Sequence, residues 1–564
     1  MHLTEKITHS LTRFIGVGML AGAVIFAPPA FANSPPQAAI ASAHPLATQA
    51  GHQILAQGGN AFDAAISVAA VLAVVEPAGS GMGGGGFWLL HDTHQNRHVF
   101  VDARETAPLK AHQDMYLDEA GNVVRDLAIN TPLAAGIPGQ AAAFVHLAEH
   151  YGKLPLSASL APAIKLAEEG FPVSRRYQRL IEWRVPVINR YPAAASIFLQ
   201  DGQVPPIGHL IKQPDLANTL RLLADQGKKG FYEGKLAEQM VEAVQKEGGI
   251  WQLEDLANYQ VIEREPIVGE YQGATIITSP PPSSGGIALL QAFGILSHFD
   301  KHMTNPELAP HLVVEAWRRA YYDRGLYLGD SDFVDVPTER LLSKKYIRQQ
   351  AKSIDINKAT NSESLGPKTL VKQGQHTTHY SILDTEGNKV AATLSVNLPF
   401  GSGYVVPGTG LLLNNEMDDF SAKPGEPNAY GLIGSQANAI EPGKRPLSSM
   451  TPTFVEWNDQ VAILGTPGGS RIITMVFLGI QQALAGKPIA HWVSRPRYHH
   501  QYLPDVVEAE PAFMGSREAK ALEAKGHKLQ ITGRQFGDMQ AVYWDKNAKK
   551  VEAASDPRGE GLAE

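Results

Sequence analysis

Apolar and polar positions divide this chain into stretches of distinct character. From about Leu46, HQILAQGGNAFDAAISVAAVLAVVEP carries apolar residues at helical spacing; Gly58-Gly59-Asn60 breaks it into two helices and Pro77 ends the second. The glycine-rich GSGMGGGGFWLLHD at 79–92 comes next, and HVFVDAR at 98–104 alternates like a strand. Residues 131–367 read as mostly helical, with amphipathic segments such as PLSASLAPAIKLAEEG and a strand pattern in GATIITSP. Over 352–375 the chain turns polar and weakly periodic, which predicts an exposed segment of the kind that is easily cut. The last third is strand-rich, with GTGLLLNNEMDDF, PTFVEWNDQVAILGTPGG, a helix over 470–486, and strand patterns in DVVEAE and MQAVYW.

The stretch GQHTTHYSILDTEGNKVAATLSVNLPFGSG at 374–403 reads as a β-hairpin turning at Thr385-Glu386-Gly387-Asn388. A three-residue loop over 386–388 places Thr377 opposite Asn397, with Ser395 as its diagonal neighbour. Ala391, Thr393, Ser395 and Asn397 then share one face, and Val390, Ala392, Leu394 and Val396 the other. Two readings stay open on this pattern alone. The polar face is a solvated sheet surface, since threonine is common in strands, or it surrounds a threonine that becomes a chain terminus. A threonine hydroxyl needs a nearby base to act as a nucleophile, and a free α-amino group on the same residue, with a pKa of ~7.7–8.0, supplies one. The second reading requires cleavage of the His376–Thr377 bond.

Composition narrows the chemistry. The 564 residues are 44% hydrophobic and 19% charged, which suits roughly three to four domain-sized units or one large α/β sandwich. A net charge of −7 without a lysine- or arginine-rich run argues against nucleic acid as a partner. With no cysteine there is no thiolate nucleophile, disulfide or CxxC zinc site. Glu5, Lys6 and Arg13 are the charged residues before Asp63; the apolar run at 14–27 and Ala30-Phe31-Ala32 predict a secretory signal peptide over 1–32, the alternative being an uncleaved anchor. GSGMGG at 79–84 matches G-x-G-x-x-G, but a dinucleotide site has a strand before the glycines and a helix after them. Here the order is reversed, so the glycines are read as close backbone packing or a turn near an active site. His146 and His150 match H-x-x-E-H and share a helix face, yet no third ligand is evident and they are read as surface histidines. His499 and His500 are adjacent, which in a strand points them apart.

TTHYS at 377–381, LLLNNEMDDFSAKPG, KRPLSSMTPT, GTPGGSRII and SRPRYHHQ occur in that order, preceded by GGNAFDAAIS, GSGMGGGGF and DARETAP. Through these motifs, over about 58–558, the chain resembles the γ-glutamyltransferase (γ-glutamyltranspeptidase) family. The resemblance implies an α+β fold, the four-layer αββα sandwich of N-terminal nucleophile hydrolases. It implies a precursor that cleaves itself at His376–Thr377 into a large subunit, 33–376, and a small one, 377–564, intertwined in one body. Thr377 then attacks the γ-carbonyl of glutathione or another γ-glutamyl compound, and the γ-glutamyl-enzyme passes its acyl group to water or to an amino acid or dipeptide. Gly468 and Gly469 match the oxyanion pair, at a helix N-terminus that suits an anion. Arg104 matches the carboxylate-binding arginine, with Ser448 and Ser449 adding hydroxyl donors; Glu416 and Asp419 take the α-ammonium, with Asn397 assisting. Ser395 stands where many members have a threonine that supports the nucleophile. Tyr430 lies in a stretch resembling the loop that lids the site in many members, placed to hydrogen-bond Asn397. No metal or organic cofactor is implied, and the location implied is periplasmic or secreted, with no membrane anchor after signal removal. The alternatives are a glutaryl-β-lactam (cephalosporin) acylase of the same fold, a relative acting on poly-γ-glutamate, and a secreted binding protein without catalysis.

Overall fold

The computed structural model describes residues 34–366, 377–421, 423 and 436–564. The expected leader at 1–32, the scissile-bond residue His376 and the lid residue Tyr430 lie outside the described residues. Two antiparallel sheets carry the fold. Their strands are β1 (Ala39–Ser42), β2 (Gly85–Asp92), β3 (Arg97–Ala103), β4 (Ile262–Arg264), β5 (Ile267–Tyr271), β6 (Ala274–Thr278), β7 (Thr378–Leu383), β8 (Lys389–Ser395), β9 (Thr453–Trp457), β10 (Gln460–Gly465), β11 (Gln540–Asp545), β12 (Lys550–Ser555) and β13 (Leu562–Ala563). One sheet runs β13-β1-β7-β8-β2-β3-β4 and the other β12-β11-β10-β9-β6-β5.

Alternation along the strands builds the layers. Phe87, Leu89, Phe100 and Ala391 face inward and meet Ile277, Phe454, Val461 and Ile463 of the opposite sheet. Their neighbours Trp88, Leu90, Val390, Ala392 and Leu394 face outward and pack under α1 (Pro45–Ala56), α2 (Ala61–Val75), α3 (Gln140–His150), α4 (Leu156–Glu169) and α5 (Arg175–Ile181). Helices α6 (Gly285–Leu296), α7 (Ala309–Tyr327) and α8 (Ile472–Leu484) cover the other sheet. The result is the expected αββα sandwich. The two helices broken at Gly58-Gly59-Asn60 are present, with Asn60 and Asp63 forming a capping box at the start of α2.

The hairpin departs from its expected register. Leu394 pairs with Thr378, and Asp384 N–H donates to the Asn388 carbonyl at 3.1 Å, so the three-residue loop is 385–387 rather than 386–388. Thr377 therefore falls opposite Ser395, not Asn397. The reason is the turn: a three-residue hairpin loop ends on a residue in the left-handed region, and Gly387, at φ 91°, takes that position. Asp384 locks it, accepting from Glu386 N–H and Asn388 N–H at 2.9 Å, and from Ala61 N–H of α2 at 2.9 Å. Because both strands slip together, the faces are as expected. Neither face is solvated, however: every residue of β7 and β8 is buried. The polar face lies between the sheets, where the His379 ring nitrogens meet Thr393 Oγ1 at 2.8 Å and Ser381 Oγ at 3.2 Å.

The glycine stretch serves close approach, not nucleotide binding. A Cβ at Gly83 would lie 2.1 Å from the Leu412 carbonyl oxygen, and one at Gly84 would lie 2.2 Å from that of Ser395. These glycines let β8 and the 411–416 segment converge on one point. Gly84→Ala is therefore expected to destabilise the fold by ~1–3 kcal/mol through overpacking. A lowered urea midpoint would show this; an unchanged midpoint would contradict it.

Candidate active site

Thr377 sits immediately before β7, 5% exposed, held through a ladder shared with β1 and β8. It lines a small polar cavity together with Ser395, Asn397, Glu416, Asp419, Ser448 and Gly469. The structure thus brings together most of the expected site residues from five separate segments. Gly468 adjoins this wall in sequence, and Arg104 reaches it through its partners.

Ser395 and Asn397 are tied to each other and, through Ser395, to the acids. Asn397 N–H donates to Ser395 Oγ at 2.7 Å, and the Ser395 hydroxyl hydrogen-bonds the Glu416 carboxylate. Asn397 has φ 72°, a conformation asparagine tolerates better than most residues, and its Nδ2 donates to the Asn415 carbonyl at 2.7 Å. Asn414 and Asn415, which the sequence reading gave no role, position the acidic turn at Glu416–Asp419. Asn414 Oδ1 accepts from Glu416 N–H at 2.9 Å while its Nδ2 donates to the carbonyls of Gly83 at 2.7 Å and Gly136 at 2.8 Å.

Arg104 lies just past β3, fully buried. Its guanidinium pairs with Glu416, donates to Asp419 Oδ2 at 2.5 Å and donates through Nε to the Pro446 carbonyl at 3.2 Å. The arginine and the two acids, expected at opposite ends of a ligand, form one ion cluster. Glu105, also overlooked, stands 3.6 Å from the same guanidinium. Burial, reinforced by Glu416, holds the Glu105 carboxyl well above the usual carboxylate range. Burial likewise pushes Glu416 up to about 7 against the opposing pull of Arg104, and raises Asp419.

A second buried arginine, Arg324 of α7, is bonded to the cavity-lining Ser449. It donates to Ser284 Oγ at 2.9 Å and Ser449 Oγ at 3.2 Å, and burial lowers its pKa to about 10 although Asp419 opposes the shift. Ser284 in turn donates to the Ser448 carbonyl at 2.7 Å. Neither Glu105 nor Arg324 stood out in sequence, because their relation to the site is created entirely by chain packing.

Gly468 and Gly469, at φ 142° and 57°, turn the chain from β10 into α8. A short 3-10 turn at Gly469–Arg471 precedes α8, so the α-helix proper starts at Ile472 rather than at 470. A Cβ at Gly468 would lie 2.4 Å from Met475 Cε, so side chains are excluded twice over, by conformation and by space. Gly469 lines the cavity with Thr377, and backbone N–H groups at such a turn are suited to a developing oxyanion.

Two histidine clusters away from this site are internally bonded. His146 and His150 stack at 4.4 Å, with His146 Nε2 on Glu263 at 3.0 Å and His150 Nδ1 on the His146 carbonyl at 3.0 Å. His311, Glu315 and His527 are close enough to share a metal ion. Their hydrogen bonds already form a chain, however: His311 Nε2 reaches the Asp355 carbonyl at 2.9 Å and its Nδ1 reaches His527 Nε2 at 2.8 Å.

Comparison with known proteins gives one consistent result. The Gamma-glutamyltranspeptidase family model matches residues 47–564. The chain is 42% identical over 528 residues to the glutathione hydrolase proenzyme of Escherichia coli (strain K12), covering 93% of this chain and 90% of that protein. Among solved structures, a cephalosporin acylase from Bacillus halodurans superposes with TM-score 0.81 at 29% identity, covering 96% and 99% of the two chains. Helicobacter pylori gamma-glutamyltranspeptidase gives TM-score 0.56 at 40% identity over 58% of this chain and 94% of that one.

The raised Glu416 carboxyl has a thermodynamic signature. An unfolded glutamate titrates near ~4.3, whereas the folded protein holds this proton to about 7. Its contribution to stability is therefore full below the unfolded value, is lost as pH rises toward about 7, and is flat above. The urea midpoint of the wild type should fall more between pH 5 and pH 8 than that of Glu416→Gln; equal falls would contradict the assignment.

Proposed function

Since the chain belongs to the gamma-glutamyltranspeptidase family, we propose that it is a γ-glutamyltransferase and glutathione hydrolase whose nucleophile is Thr377. The observation that carries this reading is the placement of Thr377 in one cavity with Ser395, Asn397, the Glu416/Asp419 pair, Ser448 and Gly469. The precursor cleaves itself when the Thr377 hydroxyl attacks the His376 carbonyl, the peptide C–N bond breaks to free the α-amino group, and water hydrolyses the resulting ester, leaving a large subunit, 33–376, and a small one starting at Thr377. The freed α-amino group is then the base. His379 is unsuited to that role: both its ring nitrogens are engaged by Thr393 and Ser381, and burial lowers its pKa to about 3.

A γ-glutamyl donor presents a zwitterionic α-amino acid to the ion cluster. Its α-carboxylate joins Arg104 and the Ser448 and Ser449 hydroxyls; its α-ammonium replaces part of the arginine's charge beside Glu416 and Asp419. The Thr377 oxygen attacks the γ-carbonyl, the N–H groups of Gly468 and Gly469 stabilise the oxyanion, and the C–N bond breaks as the leaving amine takes a proton. Water or an acceptor amine then attacks the resulting ester. The reading includes export on the 1–32 leader; among the described residues no helix is long and apolar enough to cross a membrane.

A glutaryl donor of the acylase type lacks the α-ammonium and would leave two buried carboxylates without a cationic ligand, which is costly. Turnover of γ-glutamyl-p-nitroanilide is accordingly expected to exceed that of glutaryl-p-nitroanilide by about 100-fold in kcat/KM. Asp419→Asn should narrow that preference at least about tenfold, mostly by slowing the γ-glutamyl donor. Equal use of both donors by the wild type would overturn the reading.

A further inference from the structure

Thr377 also lines a second cavity, which shares no residue of the charge clamp. Its walls include Arg176, Arg179, Trp183, Arg534, Phe536 and Arg558. The four arginines are not equivalent. Arg176 is neutralised by Glu76 at 3.2 Å and Asp538 at 3.1 Å. Arg558 is neutralised by Glu510 at 2.7 Å and Asp556 at 3.0 Å. Among the described residues, Arg179 on α5 and Arg534 make no side-chain hydrogen bond or ion pair, and both are exposed. Asp538, the acid lining this cavity, is already committed to Arg176 and accepts from Gln540 Nε2 at 2.9 Å. Burial pushes its carboxyl up to about 7, which weakens it further as a counter-charge.

We propose that Arg179 and Arg534 form a carboxylate subsite for the group on the far side of the scissile amide: the peptide that leaves the donor, and in the second step a peptide acceptor. This rests on the γ-glutamyl-transfer reading above. The geometry points there because Thr377 is the one wall common to both cavities. When the clamp holds the glutamyl part, the remainder of the donor has to continue past Thr377. A leaving dipeptide reaches at most roughly 7 Å, and its terminal carboxylate is the anion that two uncompensated guanidiniums lack. Partial desolvation against the cavity wall lowers the Arg534 pKa although the residue still reaches solvent, and Arg179 lowers it further, so the two cations repel each other across the cavity and an anion between them relieves the repulsion. Trp183, 48% exposed at the rim, offers an apolar surface for the chain of the peptide.

The test compares three donors sharing one γ-glutamyl group: glutathione, glutathione with its terminal carboxylate converted to the amide, and γ-glutamyl-p-nitroanilide. The proteins are the wild type, Arg179→Gln, Arg534→Gln and the double variant, each checked by mass for the cleaved chains. In the wild type, glutathione should surpass its amide about tenfold in kcat/KM through KM. The double variant should lose that preference, with Arg→Lys substitutions restoring part of it, while kcat/KM for the anilide stays within about twofold. Equal losses on glutathione and the anilide would mark the arginines as structural, and an unchanged preference for glutathione over its amide would show that no carboxylate is read here; either overturns the proposal. No wild-type turnover of any donor would overturn the γ-glutamyl reading itself, and this inference with it.

Discussion

The site depends on the ladder that holds β7 between β1 and β8. On the proposed function Thr377 becomes a chain end and has no covalent anchor on one side. Its position must come from hydrogen bonds on the residues that follow, and from packing around them. Here those residues are buried on both faces, with Tyr380 and Ile382 under α2 and Ser381 and Leu383 between the sheets. β1 and β13 add strands on one flank, and the tight approach of Gly83 and Gly84 brings up β2 and the 411–416 segment on the other. The turn that sets the register is tied to the start of α2 through Asp384 and Ala61. Sheet, turn and helix therefore fix a single residue together.

Around that residue the protein concentrates charge that would be costly if unpaired. Arg104, Glu416, Asp419 and Glu105 share a volume from which water is largely excluded, with Arg324 behind them. Such a cluster gives little net stability, since desolvation offsets most of its attraction. On the proposed function its value lies in recognition: it presents both signs of charge at close range and favours a ligand that also carries both. The same logic separates the two cavities beside Thr377. One holds cations matched by acids; the other holds two cations that are not.

Much of this was legible in the residues. Alternation gave β3, β8 and the facing of Thr393, Ser395 and Asn397, and glycine density located the close approach at 79–84. What failed did so for physical reasons. The hairpin slipped because Gly387, rather than Asn388, takes the left-handed position of the loop. β1, with the sequence AIAS, is too short and too uniformly apolar to announce itself, being buried on both sides. Glu105 sits one residue from Arg104 with nothing in the local pattern to mark it, and Arg324 comes from a helix more than two hundred residues away in the chain. The charge clamp is a product of tertiary packing, and only the ordered motifs pointed to it.

The proposed chemistry requires Thr377 to become a chain terminus. Intact-protein mass spectra of the purified wild type, beside Thr377→Ala, test this most directly. Two species in the wild type, the smaller beginning at Thr377, with a single uncut chain in the variant, are the predicted result. A single uncut chain in both, in folded protein, would contradict it and reduce the hairpin to a structural element.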